Sequence, residues 1–187
     1  MGDVRHLTME ELEAGLDDIR RSPQDRGVLQ MIVRRPQTDV RQVVEEGQLD
    51  LQEGLVGDSW ITRGSSRTSD GSSHPDMQLT LMNSRVIALL AQDKGRWQLA
   101  GDQLFVDLDL SVENLPPGTR LAVGSAVMQV TDQPHTGCQK FAARFGQDAV
   151  KFVNSPMGKQ LHLRGINARV VQPGVIRVGD VVSKIYA

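Results

Sequence analysis

The stretch "ARVVQPGVIRVGDVVSKI", residues 168–185, decides the fold class. Valine and isoleucine favour a pleated, half-buried backbone, and the Pro173-Gly174 and Gly179-Asp180 pairs cut the run into short strands. The same grammar recurs upstream. "LAVGSAVMQVT" (121–131) reads as one strand bent at Gly124-Ser125 or two strands joined there. "QLFVDLDL" (103–110) alternates Leu104, Val106, Leu108 and Leu110 against Phe105, Asp107 and Asp109, the period of a half-buried strand. "MQLTLM" (77–82) and "RVIALLA" (85–91) are short apolar runs that read as strands, and "VLQMIVRRP" (28–36) is a strand that Pro36 ends. Many short strands between glycine turns predict a mainly β, barrel-like domain. A doubly wound sheet would need long helices between the strands, and the sequence has none.

Helix is expected at the N-terminus and again near the middle of the C-terminal half. Thr8 and Glu11 form a capping box, Leu7 and Leu12 stand at staple positions, and Leu12, Leu16 and Ile19 make one apolar stripe before Ser22-Pro23. This helix reads as a packing element or as the contact of a homodimer. Beyond residue 138, "CQKFAARFG" pairs Phe141 with Phe145 and ends at Gly146; "DAVKFVN" continues it, and Ser155-Pro156 opens a third short helix. Between the strand candidates lies "ITRGSSRTSDGSSHPD" (61–76), too rich in serine and glycine to build a core and therefore a long loop.

A chain of 187 residues suits one domain with a modest extension. The expected division is a helix-and-strand extension over 1–40, packed on the same domain, and the main domain over 41–187. The longest apolar run, "VIALLA", is far shorter than a membrane span, and "MGDVRHLTMEELEAG" lacks the basic start and apolar stretch of a secretory signal. No membrane association is expected, and the lone cysteine suits a reducing cytoplasm. The net charge of −2 conceals an asymmetry: residues 1–50 carry eleven acidic and seven basic side chains, residues 120–187 nine basic and three acidic. That field favours a small anionic ligand. Nucleic acid is not expected, because the basic residues are scattered and aromatic side chains for base stacking are few.

The lone cysteine, Cys138, sits in "VTDQPHTGCQKFAARFG" (130–146). Two readings of it stand. It is a small buried hydrophobe, the usual fate of a free cysteine, or it is a reactive thiol. For reactivity speak its place at a helix start, where free N–H groups favour the thiolate, and the neighbouring His135, Lys140 and Arg144. His135 and Cys138 are spaced as a possible Cys–His pair, though a surface histidine fits equally. A metal site is not expected: His6, His74, His135 and His162 lack ligand spacing, and one cysteine cannot supply a zinc cluster. Asp58 and Asp102, each after a glycine, read as turn-formers rather than acid–base groups.

In order and spacing, "GLVGD" (54–58), "QLTLM" (78–82), "GDQLFVDLDL" (101–110), "PHTGCQKF" (134–141) and "LRGINARVVQPGVIRVGD" (163–180) resemble the MOSC family, named after the C-terminal domain of molybdenum cofactor sulfurases, and look most like a small stand-alone bacterial member. The resemblance runs from about Leu51 to Ile185. It implies a strand-rich barrel with a cysteine on one rim, matched here by Cys138, which accepts a sulfane sulfur as a persulfide and passes it toward molybdenum cofactor or another acceptor. A cysteine desulfurase or other sulfur donor is the implied partner. The phosphate or pterin end of the molybdopterin would be drawn by Arg164, Arg144 and Lys140, with Arg67 reaching in if the long loop folds over the rim. Gly57-Asp58, Gly101-Asp102 and Arg164-Gly165 match the recurrent glycine turns and the basic position before the final strands. Pyridoxal phosphate belongs to a separate domain of larger relatives, and this chain shows no lysine motif for it, so direct binding is not expected. Two departures stand out. Ser59-Trp60 replaces a histidine common after the first glycine–aspartate pair, and the serine-rich loop replaces a basic, glutamine-containing stretch. The competing functions are a cofactor-dependent reductase component acting on N-hydroxylated compounds and a non-catalytic ligand-binding domain.

Overall fold

A computed structural model describes residues 5–186; the opening tetrapeptide, part of the stretch read for a secretory signal, and Ala187 lie outside the described residues. Two short helices begin the chain, α1 (Met9–Ala14) and α2 (Leu16–Arg20). The capping box forms as expected: Thr8 Oγ1 accepts from the Glu11 N–H while the Glu11 carboxylate accepts from the Thr8 N–H. The expected single helix is broken at Gly15, where a Cβ would meet Leu89 Cδ2 at 2.5 Å. Its apolar stripe survives the break, since Leu12, Leu16 and Ile19 are all buried against this chain's own core.

Seven strands close a barrel. β1 (Gly27–Arg34) carries β2 (Gln42–Val44) on one side; β3 (Glu46–Asp50) and β4 (Gly54–Leu55) follow, then helix α3 (Trp60–Arg63). β5 (Leu79–Asn83) runs directly into helix α4 (Ser84–Ala91), and β6 (Leu104–Asp107) lies parallel to β5. β7 (Arg120–Val123) and β8 (Ala126–Val130) form a hairpin over Gly124-Ser125, so the second of the two readings of that stretch holds. Helices α5 (Gln139–Phe145), α6 (Gln147–Asn154) and α7 (Pro156–Gln160) precede β9 (Ile166–Gln172), β10 (Gly174–Arg177) and β11 (Val181–Ile185). The sheet order is β11-β7-β8-β9-β5-β6-β1, and antiparallel pairing of β1 with β11 closes the ring. β3, β4 and β10 make a small second sheet whose Leu49, Leu55 and Ile176 join the barrel core. β1, from the first forty residues, is thus a stave of the barrel.

"RVIALLA" is a helix, not the expected strand. An apolar run of that length does not distinguish a strand from a buried helix by period alone. Here Asn83 Oδ1 accepts from the Arg85 N–H as an N-cap, and Val86, Ile87, Leu90 and Ala91 form the buried face. The strand at "QLFVDLDL" is likewise covered on both faces over Leu104–Val106. Leu104 and Val106 point into the barrel, while Phe105 enters a second core with Leu12, Ile87, Trp97, Phe141 and Phe145. β1 serves both cores through a bulge: its register against β6 shifts between Leu29 and Met31, which places Leu29 and Ile32 inside and Met31 and Val33 outside.

The helical layer therefore docks through large side chains, with capping as a minor contribution. Thr8→Ala should cost about 1 kcal/mol and Leu12→Ala about 2–5 kcal/mol in urea unfolding. Equal effects would show that the N-terminal helices do not share the core.

Candidate functional site

Near one rim of the barrel, three segments converge: the end of β1, the loop through α3, and the 131–138 segment between β8 and α5. Asp58 holds the first two together. Its buried carboxylate accepts the Arg35 backbone N–H at 2.7 Å and the Arg35 Nε and Nη2 at 2.9 and 2.8 Å. It also accepts from the Trp60 N–H at 3.1 Å and from Gln103 Nε2 at 3.2 Å. Arg35 Nη1 donates to the Gly101 carbonyl at 3.0 Å. Asp58 is thus the expected turn-former, its carboxylate accepting the N–H two residues on, and in addition the anchor of a buried fork; the charge-assisted geometry explains why Arg35 can sit in the interior.

Arg35 lines a cavity of about 190 Å³ together with Trp60, Arg63, Thr80, His135 and Asn167. Gly64 and Ser65 of the serine-rich loop form part of its wall, so that loop does fold over the rim. Arg67, carried on the same loop, lies close enough to His135 to disfavour its protonation. Burial and the neighbouring Arg35 pull the Arg63 guanidinium below the usual arginine value. Burial, Arg144 and Arg35 do the same to Arg41. Arginines this close without enough carboxylates make an electrostatic socket for an anion. The Nε atoms of Arg34 and Arg41 are buried without a hydrogen-bond partner. Gly57, at φ +89°, leaves room for Arg34, whose Cδ would lie 3.1 Å from an added Cβ.

Beneath the 131–138 segment lies a second polar group. Arg164 Nη1 donates to Asp102 Oδ2 at 2.6 Å and its Nη2 to the Ala100 carbonyl at 3.0 Å, while its guanidinium covers the Phe141 ring at 4.7 Å. Asp102, the second expected turn-former, is fully buried; its Oδ1 has no hydrogen bond and faces His135 Nδ1 at 3.5 Å. Burial pushes the Asp102 carboxyl up, with Arg164 opposing. Burial, then Arg164 and Arg35, pushes His135 well below its ordinary value, so the ring is neutral at neutral pH. Gly165, at φ +114°, lets this group close up, because a Cβ there would sit 2.2 Å from the Leu81 carbonyl oxygen. Asn167 Nδ2 holds the Gln133 carbonyl at 3.0 Å, and its buried Oδ1 is unpartnered.

Cys138 is exposed, which decides against the buried reading. It is the N-cap residue of α5, and its side chain makes no cap hydrogen bond. Asn154 clamps the preceding residue by accepting the Gly137 N–H at 2.9 Å and donating to its carbonyl at 3.0 Å. Lys140 and Arg144 both reach Asp39, at 3.3 and 3.2 Å, and Arg144 also donates to the Leu99 carbonyl. Arg144 remains part of the basic face through Arg41, whereas Arg164 is committed to Asp102.

Sequence reasoning placed the cations in the C-terminal third and at Arg67 on the long loop, and passed over Arg35, Arg41 and Arg63. The Arg34-Arg35 pair ahead of Pro36 was the available signal, read only as a strand end. Asn167 carried no signal, since an asparagine inside a strand becomes informative only when its neighbours are known. Among the described residues no group of three or more metal-ligating side chains comes together, and no helix is long and apolar enough to cross a membrane.

The sequence profile of the MOSC domain matches residues 69–183. Among solved structures, the YUAD protein from Bacillus subtilis aligns with 16% identity and a TM-score of 0.64, over 86% of this chain and 97% of that one. YiiM from Escherichia coli aligns with 20% identity and a TM-score of 0.55, over 86% and 70%. YiiM from Geobacillus stearothermophilus aligns with 18% identity and a TM-score of 0.52, over 87% and 75%. No curated protein sequence matches the chain. At these identities the likeness is one of fold.

Two measurements check the electrostatics. Arg35→Ala should cost about 3–5 kcal/mol, because it strands a buried carboxylate, and Asp58→Asn on the same background should recover part of the loss. A loss below 1 kcal/mol would mean that the fork is not structural. His135 binds a proton less readily folded than unfolded, so its contribution to stability is complete above about pH 6.5 and falls as the pH drops toward the folded value. Asp102, raised in the fold, has the opposite slope, its cost growing as pH rises through its folded value. The difference in stability between wild type and His135→Gln isolates the histidine and should shrink from pH 7 to pH 5.

Proposed function

The chain belongs to the MOSC domain family, and on that premise we infer that it binds molybdenum cofactor at the basic rim cavity and uses Cys138 as a sulfur carrier. The observation that carries this reading is the convergence of Arg35, Arg41 and Arg63 beside a cavity whose His135 wall is three residues from an exposed cysteine. Three residues of chain span at most about 10 Å, so a group seated at His135 is within reach of the thiol.

The residues present fit a phosphate-bearing pterin. Arg63 is a donor for oxyanions in the cavity wall, and the orphan Asn167 Oδ1 is an acceptor for a ring N–H. Arg67 on the covering loop adds a further cation. The molybdenum centre, when bound, supplies oxygen- or sulfur-atom transfer chemistry. The protein's own part is to hold the anionic end, to exclude water with the 64–74 loop, and to present an accessible thiol.

Cys138 takes its sulfur from a donor persulfide, as a cysteine desulfurase would offer in the cytoplasm. Its thiolate attacks the outer sulfur, a new S–S bond forms on Cys138, and the donor cysteine leaves as thiolate, so no net electrons are consumed. An acceptor nucleophile then removes the outer sulfur and restores the Cys138 thiolate. The Asn154 clamp on Gly137 fixes the backbone beside Cys138 and holds the nucleophile at the start of α5.

Incubation with a cysteine desulfurase and cysteine should add the mass of one sulfur atom to the intact protein and none to Cys138→Ala. No adduct on the wild type would remove the carrier role. Arg63→Ala should retain sulfur loading yet lose roughly tenfold in affinity for isolated molybdopterin, which separates anion binding from thiol chemistry.

A further inference from the structure

A second, larger cavity of about 370 Å³ lies on the other side of His135, between the 131–136 segment and helix α7. We propose that it binds a small uncharged aromatic molecule carrying one hydrogen-bond donor, of the phenol class, a ligand distinct from the anion of the basic rim cavity. Its volume falls within the range of about 300–1,000 Å³ that suits small-molecule ligands. Its walls are mainly apolar, with Val112, Val130, Val153, Ile166 and Pro134 prominent. The charged lining residues are one lysine and one aspartate, Lys159 and Asp132, both exposed, so together they bring no net charge. The arginines behind His135 add none, because Arg164 is paired with Asp102 and Arg35 with Asp58. A charged ligand would give up hydration here without a committed counter-ion, whereas a neutral ring keeps the gain of burial.

Both walls are held in place by the fold. Thr131 donates its N–H to the Asn167 carbonyl at 3.0 Å and its hydroxyl to the Asp76 carbonyl at 2.6 Å, and Asn167 Nδ2 donates to the Gln133 carbonyl at 3.0 Å. Opposite, the Leu163 N–H donates to the Gly158 carbonyl and the Gly165 N–H to the His162 carbonyl, both at 2.8 Å. Walls fixed in this way lower the ordering cost of binding. Two imidazoles supply the polar recognition. His162 is held at φ +48°, a left-handed conformation unusual for a side-chain-bearing residue, and its Nδ1 lies 2.7 Å from the Leu110 carbonyl. A carbonyl only accepts, so Nδ1 carries the proton, and Nε2 of the neutral ring is left as an acceptor for a ligand O–H. Burial keeps His135 from protonating, so it adds no charge to the wall it shares with the rim cavity. A phenol would lay its ring against the valines and Ile166 and donate its hydroxyl to His162 Nε2.

The test titrates phenol, anisole, benzoate and benzylammonium into the full chain at about pH 7.5, above the ordinary histidine value of about 6.5, and follows amide chemical shifts. Anisole matches phenol without its donor, and the two ions probe charge. The readout is binding alone, so its failure leaves the sulfur and pterin reading untouched. Phenol should bind saturably with shifts at Thr131, Thr136 and His162. Anisole should bind roughly three- to tenfold more weakly, for the loss of one hydrogen bond, and both ions more weakly than anisole. His162→Asn, which a left-handed backbone tolerates, should erase the preference for phenol over anisole in a folded chain. Val112→Trp, which fills the cavity from an exposed position, should abolish binding of both neutral rings; if that variant is misfolded, His162→Asn decides. No saturation with phenol, equal binding of anisole, tighter binding of either ion, or an unaltered preference in His162→Asn would each overturn the proposal. So would retained binding in a folded Val112→Trp, or shifts that map instead to Arg35, Trp60 and Arg63.

Discussion

The carboxylate of Asp58 is the point on which the rim depends. It receives hydrogen bonds from the end of β1, from the start of α3 and from Gln103 ahead of β6. Gln103 passes the constraint on, since its Oε1 accepts from the Thr80 N–H at 2.7 Å and its Nε2 donates to the Gln78 carbonyl at 3.0 Å. Gln78 in turn accepts the Val170 N–H and donates to the Leu51 carbonyl. One buried anion thus organises segments far apart in sequence. A buried ion pair is a poor source of net stability against an apolar replacement, but a fully satisfied network admits one arrangement and penalises the others.

The same network explains why the cavity is basic. Arg35 is neutralised by Asp58, yet its neighbours Arg41 and Arg63 repel one another and Arg35, and neither forms an ion pair among the described residues. The 131–138 segment, tied down by Asn167 and Asn154, closes the site and leaves the cysteine outside. Arg164 fills a different place: it neutralises Asp102, covers Phe141, and ties the helical core to the barrel. A socket for anions therefore stands beside an exposed thiol, with one histidine ring separating it from a second, more apolar cavity.

Local chemistry made much of this legible in advance. β-branched runs and Pro-Gly or Gly-Asp turns act within a few residues, so β7 to β11 could be placed from the sequence, as could the capping box at Thr8 and the helix after Cys138. The run 85–91 escaped because its faces are defined by what packs on them, and its cap, Asn83, lies in the preceding strand. Phe105 escaped for the same reason, its face being covered by helices from both ends of the chain.

The sequence by itself determined the fold class, the family resemblance and the prominence of Cys138, because each rests on short-range pattern. Tertiary structure alone decided which charges are free. Opposite charges find one another across the fold, and no spacing rule relates Arg35 to Asp58 or Arg164 to Asp102. Arg164, the leading cation on sequence grounds, is consumed by a buried partner, while Arg63, inside a stretch that reads as loop, borders the cavity. The exposure of Cys138 is decided in the same way, by the packing of α5 and α6 around Asn154.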